Sequence, residues 1–223
     1  MLPARLLIAL SLFIAMLTSI PAVASATPEQ QLREAAARGD AAQVSALLAQ
    51  GASIDARDAQ GRTALLLATH HNRVQAARVL IDAGADVNAQ DAIHDSPYLY
   101  AGARGHNEIL RLTLAHGADL RSTNRYGGTA LIPAAERGHV ETVRMLIAAG
   151  VAVDHVNRLK WTALLEAIIL GNGGAAHTEI VRLLVQAGAN VNLADGDGVS
   201  PLQHARQRGY RQIERILRDA GAL

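Results

Sequence analysis

The chain has 223 residues, half of them hydrophobic, yet its aromatics are one Trp, one Phe and four Tyr, so its core must be packed from Ala, Leu, Val and Ile. That composition argues against a β-sandwich, whose strands draw on Tyr, Phe, Trp and Thr, and for closely stacked small helices. With 21 Lys and Arg against 20 Asp and Glu, and no Cys, there is neither the cationic excess of a nucleic-acid binder nor any disulfide framework.

In chain order, the first element is MLPARLLIALSLFIAMLTSIPAVASA. It has one cation, Arg5, an apolar run from Leu6 to Leu17 broken only by Ser11, and a close on Ala24, Ser25 and Ala26. This is the three-part pattern of a secretory signal peptide over 1–26, cleaved after Ala26. The apolar run would reach only about 18 Å as a helix, against about 30 Å of bilayer core, and Pro21 blocks its extension. A cleaved leader is therefore expected rather than an anchor, and the mature protein is expected in the periplasm or secreted, with no membrane insertion. Removing Arg5 leaves 20 basic against 20 acidic residues, so the mature chain is formally neutral. Nucleic acid is not an expected partner.

From residue 27 onward the chain is organised by repetition. GASID at 51, GADVN at 84, GADLR at 117, GVAVD at 150 and GANVN at 188 recur at spacings of 33, 33, 33 and 38, and GAL ends the chain 33 residues later. About twelve residues after each glycine, Thr63, Ser96, Thr129, Thr162 or Ser200 opens a short apolar run, placed to cap a helix, with Pro97 and Pro201 at the first helical position. The glycines are placed to end a second helix in the left-handed conformation. Val143, Leu146 and Ile147, and likewise Val181, Leu184 and Val185, give that helix one apolar stripe, which a single unit cannot bury but a stack can.

These motifs resemble the ankyrin repeat, whose Thr-Pro-Leu-His-x-Ala helix, Gly-His turn and Gly-Ala-Asp-Val-Asn exit recur in register here over residues 28–223. The resemblance implies an all-α ankyrin-repeat solenoid over 27–223. Its units are a front cap at 28–56, repeats at 57–89, 90–122, 123–155 and 156–193, and a back cap at 194–223. Glu214 and Arg218 stand at stripe positions of the last helix, and residues 29–34 are polar where later units are apolar, as solvated ends require. The chain departs from the family pattern where the motif's His is Leu66, Leu99, Ile132, Leu165 and Gln203, where the loop glycine is His94 and Lys160, and where Thr113 replaces a stripe Leu and predicts a softer unit.

Catalytic and metal chemistry find little to work with. His106, His139 and His177 hold the repeat's turn position, His116 and His155 are repeat-end variants, and adjacent His70 and His71 cannot share a helix face, so no metal site and no cofactor is expected. Glu166 and His204 fall on inner helices of adjacent units and are expected to form a rim salt bridge rather than an acid–base pair. Arg78, Arg111, Arg144, Arg182 and Arg215 form a ladder on the outer helices, with Glu108, Glu141 and Glu179 three residues before an Arg and able to pair with it.

The loop tips are not dictated by stacking, and they concentrate hot-spot chemistry in Arg125, Tyr126, Arg158, Leu159, Lys160 and Trp161. Inner-helix residues Leu67, Tyr100, Pro133, Glu136, Glu166 and Ile169 are expected to line the adjoining surface. The partner-binding set is thus Tyr100, Arg125, Tyr126, Glu136, Arg158, Leu159, Lys160, Trp161, Glu166 and Ile169. Six units at about 10 Å each offer room for a standard interface of roughly 1,600 Å². The expected function is an exported, non-enzymatic, monomeric protein-binding module or scaffold for an envelope protein. Some exported bacterial ankyrin proteins that it resembles are associated with catalases, so the resemblance implies a periplasmic redox enzyme as client. The alternative is an inhibitor or immunity-type protein that blocks a toxin or hydrolase. GNGGAA at 171–176 accounts for the spacing of 38. With Gly171 as the turn glycine, Asn172 to Ala176 are surplus, a longer turn whose deletion should leave folding nearly intact.

Overall fold

The computed structural model describes residues 26–223. The signal-peptide reading of 1–26 thus falls, Ala26 apart, outside the described residues. The described chain is all-α, twelve helices with no strand among them, arranged as six helix pairs. The inner helices are α1 Pro28–Arg38, α3 Ala64–His70, α5 Pro97–Arg104, α7 Leu131–Glu136, α9 Ala163–Ile169 and α11 Pro201–Gln207. Each is followed by its outer partner: α2 Ala41–Ala49, α4 Val74–Asp82, α6 Asn107–Ala115, α8 Val140–Ala149, α10 Ala175–Gln186 and α12 Arg211–Asp219. Inner packs on inner and outer on outer from one end of the stack to the other. None of these helices is long and apolar enough to cross a membrane.

The periodic residues explain the pairs. Thr63, Ser96, Thr162 and Ser200 each accept a hydrogen bond from the backbone N–H three residues on, and Ser200 with Gln203 completes a capping box. Thr129 does not cap. In the other units the carbonyl of the Thr or Ser receives the N–H four residues later, from Leu67, Tyr100, Glu166 or His204. Pro133 has no N–H to give, so Ile132 N turns to the Thr129 carbonyl instead (3.2 Å), and the Thr129 hydroxyl is left without a partner. Helix α7 accordingly begins one residue late, at Leu131.

Val143, Leu146, Val181 and Leu184 are fully buried, while Ile147 and Val185 pack at the edge of one continuous core with Ile109, Leu110 and Ile180. Thr113 is fully buried too, but its hydroxyl donates to the Leu110 carbonyl at 2.9 Å inside its own helix, so the substitution leaves no orphaned polar group. At the back end, Ile213 and Leu217 face inward, whereas Glu214 turns outward to Arg206 and Arg218. On the outer helices Arg144 pairs with Glu141 and Glu179, and Arg182 with Glu179, while Glu108 makes no ion pair with Arg111.

The 171–176 segment is built differently from the simple surplus turn expected. Gly173, not Gly171, is the left-handed residue (φ 67°), and Ala175 and Ala176 belong to the first turn of α10. Asn172 Oδ1 accepts from Gly174 N (3.0 Å) and lies 3.0 Å from His177 Nδ1, while His177 Nε2 donates back to the Glu136 carbonyl of the preceding unit (2.9 Å). Tyr210 lays its ring over Gly173 and donates its hydroxyl to the Gly171 carbonyl (2.9 Å). The extra residues are thus shared between the turn and the next helix, and Tyr210 covers them.

Candidate functional site

Each loop tip is tied by an Asp or Asn at its start. Asp58, Asp91, Asn124, Asn157 and Asp195 each accept, through one side-chain oxygen, the backbone N–H groups two and four residues on. Neighbouring tips are stitched by Ala92 N to Gln60 O and Arg158 N to Tyr126 O, both 2.9 Å. His94 and Lys160 adopt the left-handed conformation that glycine fills in the other tips, at φ 63° and 65°. Each strains the chain by about 1 kcal/mol, which the ties at Asp91 and Asn157 hold in place.

This fixed frame sets three apolar side chains in successive tips into solvent. Ile93, Tyr126 and Leu159 occupy one register position and remain 49%, 55% and 53% exposed, bounded by polar Gln60 and Asp197. Beside Tyr126 and Leu159 opens a cleft of about 350 Å³, walled by Tyr100, Ile132, Pro133 and Leu170 and carrying Asp95, Glu136 and Glu166 with Arg104, Arg125 and Arg137.

Of the ten residues expected to bind, the structure brings Tyr100, Arg125, Tyr126, Glu136, Leu159 and Glu166 to this cleft and leaves four outside its lining. Arg158 is drawn over Gly127, its guanidinium donating to the Arg125 carbonyl at 2.8 Å. The Lys160 stem lies over Gly196 in the next tip. Trp161 is half-buried, with its backbone N–H and C=O both held by Asn157, and Ile169 is half-buried on α9. Sequence reasoning missed Ile93, Asp95, Asn157 and Leu170 as members of this region. Ile93 was discoverable as the residue in register with Tyr126 and Leu159.

The charges are distributed unevenly. Glu166 is only 5% exposed, and one carboxylate oxygen takes a hydrogen bond from Asn157 Nδ2 at 2.7 Å. The expected Glu166–His204 salt bridge does not form. His204 is engaged by Asp195 of its own tip at 2.7 Å, as Glu166 is by Asn157, because the tying residue of each tip lies nearer than the adjacent unit. Burial first, and then the neighbouring Glu136 carboxylate, push the Glu166 carboxyl up to about 7, against the opposing Asn157 hydrogen bond and the charge of Arg137. Burial likewise raises Asp95, against the pull of Arg125, whose guanidinium stands 3.9 Å away. The arginines are already engaged: Arg125 over the Tyr126 ring, Arg104 over the Tyr100 ring, and Arg137 with the Ala103 carbonyl. None forms an ion pair with Glu136 or Glu166 among the described residues.

A family model described as ankyrin repeats (3 copies) matches residues 24–91 and 98–195, which is most of the chain. The chain belongs to the ankyrin repeat family. It is similar to the crystal structure of an ankyrin repeat domain from Acinetobacter baumannii AYE, with 67% identity and a TM-score of 0.84, covering 86% of this chain and 98% of that one. It is also similar to the ankyrin repeat protein EF0377 (42% identity, 87% and 98% covered, TM-score 0.82) and to the ankyrin repeat domain of Bcl-3 in the IkappaB protein family (29%, 86% and 86%, 0.76). A segment of 57 residues is 46% identical to the ankyrin repeat protein YahD of Escherichia coli (strain K12), a match spanning 26% of this chain and 28% of that protein. An ankyrin repeat domain suggests a protein–protein interaction module, and the exposed tips and cleft are where such a domain leaves side chains free of stacking.

Proposed function

We propose that this chain is an exported, non-enzymatic module that holds another protein on its loop tips and inner helices. The observation that carries the reading is the row of Ile93, Tyr126 and Leu159, half exposed on three consecutive rigid tips beside the cleft. Large apolar side chains held out on a pre-ordered frame, rimmed by arginines, are the composition of an interface centre, and rigid tips keep the ordering cost of binding low. The N-terminal sequence pattern supports export, and the resemblance to exported bacterial ankyrin proteins makes a periplasmic redox enzyme such as a catalase the client class to test first.

Affinity capture from the envelope fraction tests the reading. Wild type and an Arg111→Ala control on the outer helices are expected to retain the same partner, and Tyr126→Ala with Leu159→Ala to lose it, each anchor contributing about tenfold in affinity. Undiminished capture by the double variant would contradict the proposed face. A mature N-terminus at Thr27 is the result expected for export, and an intact residue 1 in a cytosolic fraction would contradict it.

A further inference from the structure

The cleft beside the exposed tips holds two carboxylates that make no ion pair among the described residues. Glu166 spends one oxygen on Asn157, and Glu136 makes no side-chain hydrogen bond or ion pair among the described residues; only its backbone carbonyl is used, by His177. The surrounding charged groups are engaged in other contacts. Arg125 sits with Asp95 and the Tyr126 ring, Arg104 lies over Tyr100, Arg137 donates to Ala103, and His204 on the next inner helix is taken by Asp195. Apart from Asn124 and Asn157, the rest of the wall is mostly apolar or aromatic, with Tyr100, Ile132, Pro133, Leu159 and Leu170.

Two carboxylates in a cleft of about 350 Å³ whose wall is partly apolar match a side chain that has a long aliphatic stem and a cationic end. We infer that the cleft receives an arginine or lysine side chain of the bound partner, its stem against Leu159, Pro133 and Tyr100 and its charge on Glu136 and Glu166. This rests on the proposed docking face and names the chemistry it selects. A cation arriving there meets the unused Glu166 oxygen in a site largely shielded from water, where a charge-assisted hydrogen bond is stronger than on an open surface. The raised carboxyl of Glu166 fits the same picture, since burial first and then the neighbouring Glu136 charge make it hold its proton more tightly.

The probes are N-acetyl-arginine amide, N-acetyl-lysine amide and the neutral N-acetyl-citrulline amide, titrated into the full mature chain at pH 8 while the side-chain carboxyl carbons of the glutamates are followed by NMR. The expected result is a saturable shift at Glu136 and Glu166 with the arginine or lysine probe, whichever binds more tightly identifying the side chain. Citrulline should bind at least about tenfold more weakly, and Glu166→Gln should weaken the cationic probes by a similar factor. A glutamine at that position keeps an acceptor for Asn157, so the variant should fold; Glu136→Gln, at a half-exposed position, is the second variant and should weaken binding in the same direction. No response to either cation, or an equal response to citrulline, overturns the inference. If that happens while Tyr126→Ala with Leu159→Ala still abolishes partner capture, the docking face stands and only the cationic anchor is lost.

Discussion

Glu166→Gln should stabilise the protein by about 2–3 kcal/mol at pH 8 and by close to nothing at pH 4, read as the shift in urea midpoint at each pH. The folded chain holds the Glu166 proton up to about pH 7, whereas an unfolded chain releases it near the ordinary value of 4.5. Between those two values the folded state binds more protons than the unfolded one, so wild-type stability falls as pH rises through that window and is flat above it. The difference of between two and three pH units corresponds to about 3 kcal/mol, and some of it is recovered through solvent relaxation. Glutamine carries no proton to lose and can still accept from Asn157, so the variant should lack this part of the pH dependence. An equal effect at both pH values would show that the carboxyl is solvated and ordinary. A residue that makes the protein less stable at neutral pH while sitting in a cleft is the pattern expected of a site kept for binding rather than folding.

The second large effect lies at 171–176. Gly173→Ala should destabilise by about 2–4 kcal/mol, because a Cβ there adopts a left-handed φ of 67° and would stand 2.4 Å from the Tyr210 ring. Gly171→Ala should cost a similar amount, because its Cβ would fall 2.0 Å from the Ala167 carbonyl. Removing all five residues from Asn172 to Ala176 should cost less than either single substitution. Deletion joins Gly171 directly to His177, recreating the Gly-His turn present at Gly105 and His106 and at Gly138 and His139. Thermal unfolding of the three variants decides the matter. A deletion more damaging than the substitutions would mean that the segment supports the stack and is not an accommodated insertion.

The repeat was legible because stacking fixes residue types at constant spacing: the Thr and Ser caps, the glycines that end the outer helices in the left-handed conformation at φ 82–91°, and the buried stripe. What the spacing alone hid was competition for hydrogen bonds. Pro133 silenced the Thr129 cap through a missing N–H, and the Asn and Asp ties of the tips captured Glu166 and His204 before those two could meet. Tyr126 and Leu159 were visible as side chains that stacking did not require. Lys160 and Trp161 satisfied the same criterion but lie outside the cleft lining, because a tip residue's direction depends on the backbone turn that carries it, and Lys160 turns toward Gly196. That Gly173 rather than Gly171 takes the left-handed turn was not legible in the sequence, since the Tyr210 ring that packs over Gly173 comes from the next unit.

Site-specific crosslinking in the intact cell tests the central claim most directly. A photoreactive residue replacing exposed Leu159 should yield one discrete adduct to a second protein, and the same residue at exposed Arg111 on the outer face should yield none. Adducts from the outer face with none from position 159 would place the interface on the opposite side of the stack and contradict the account.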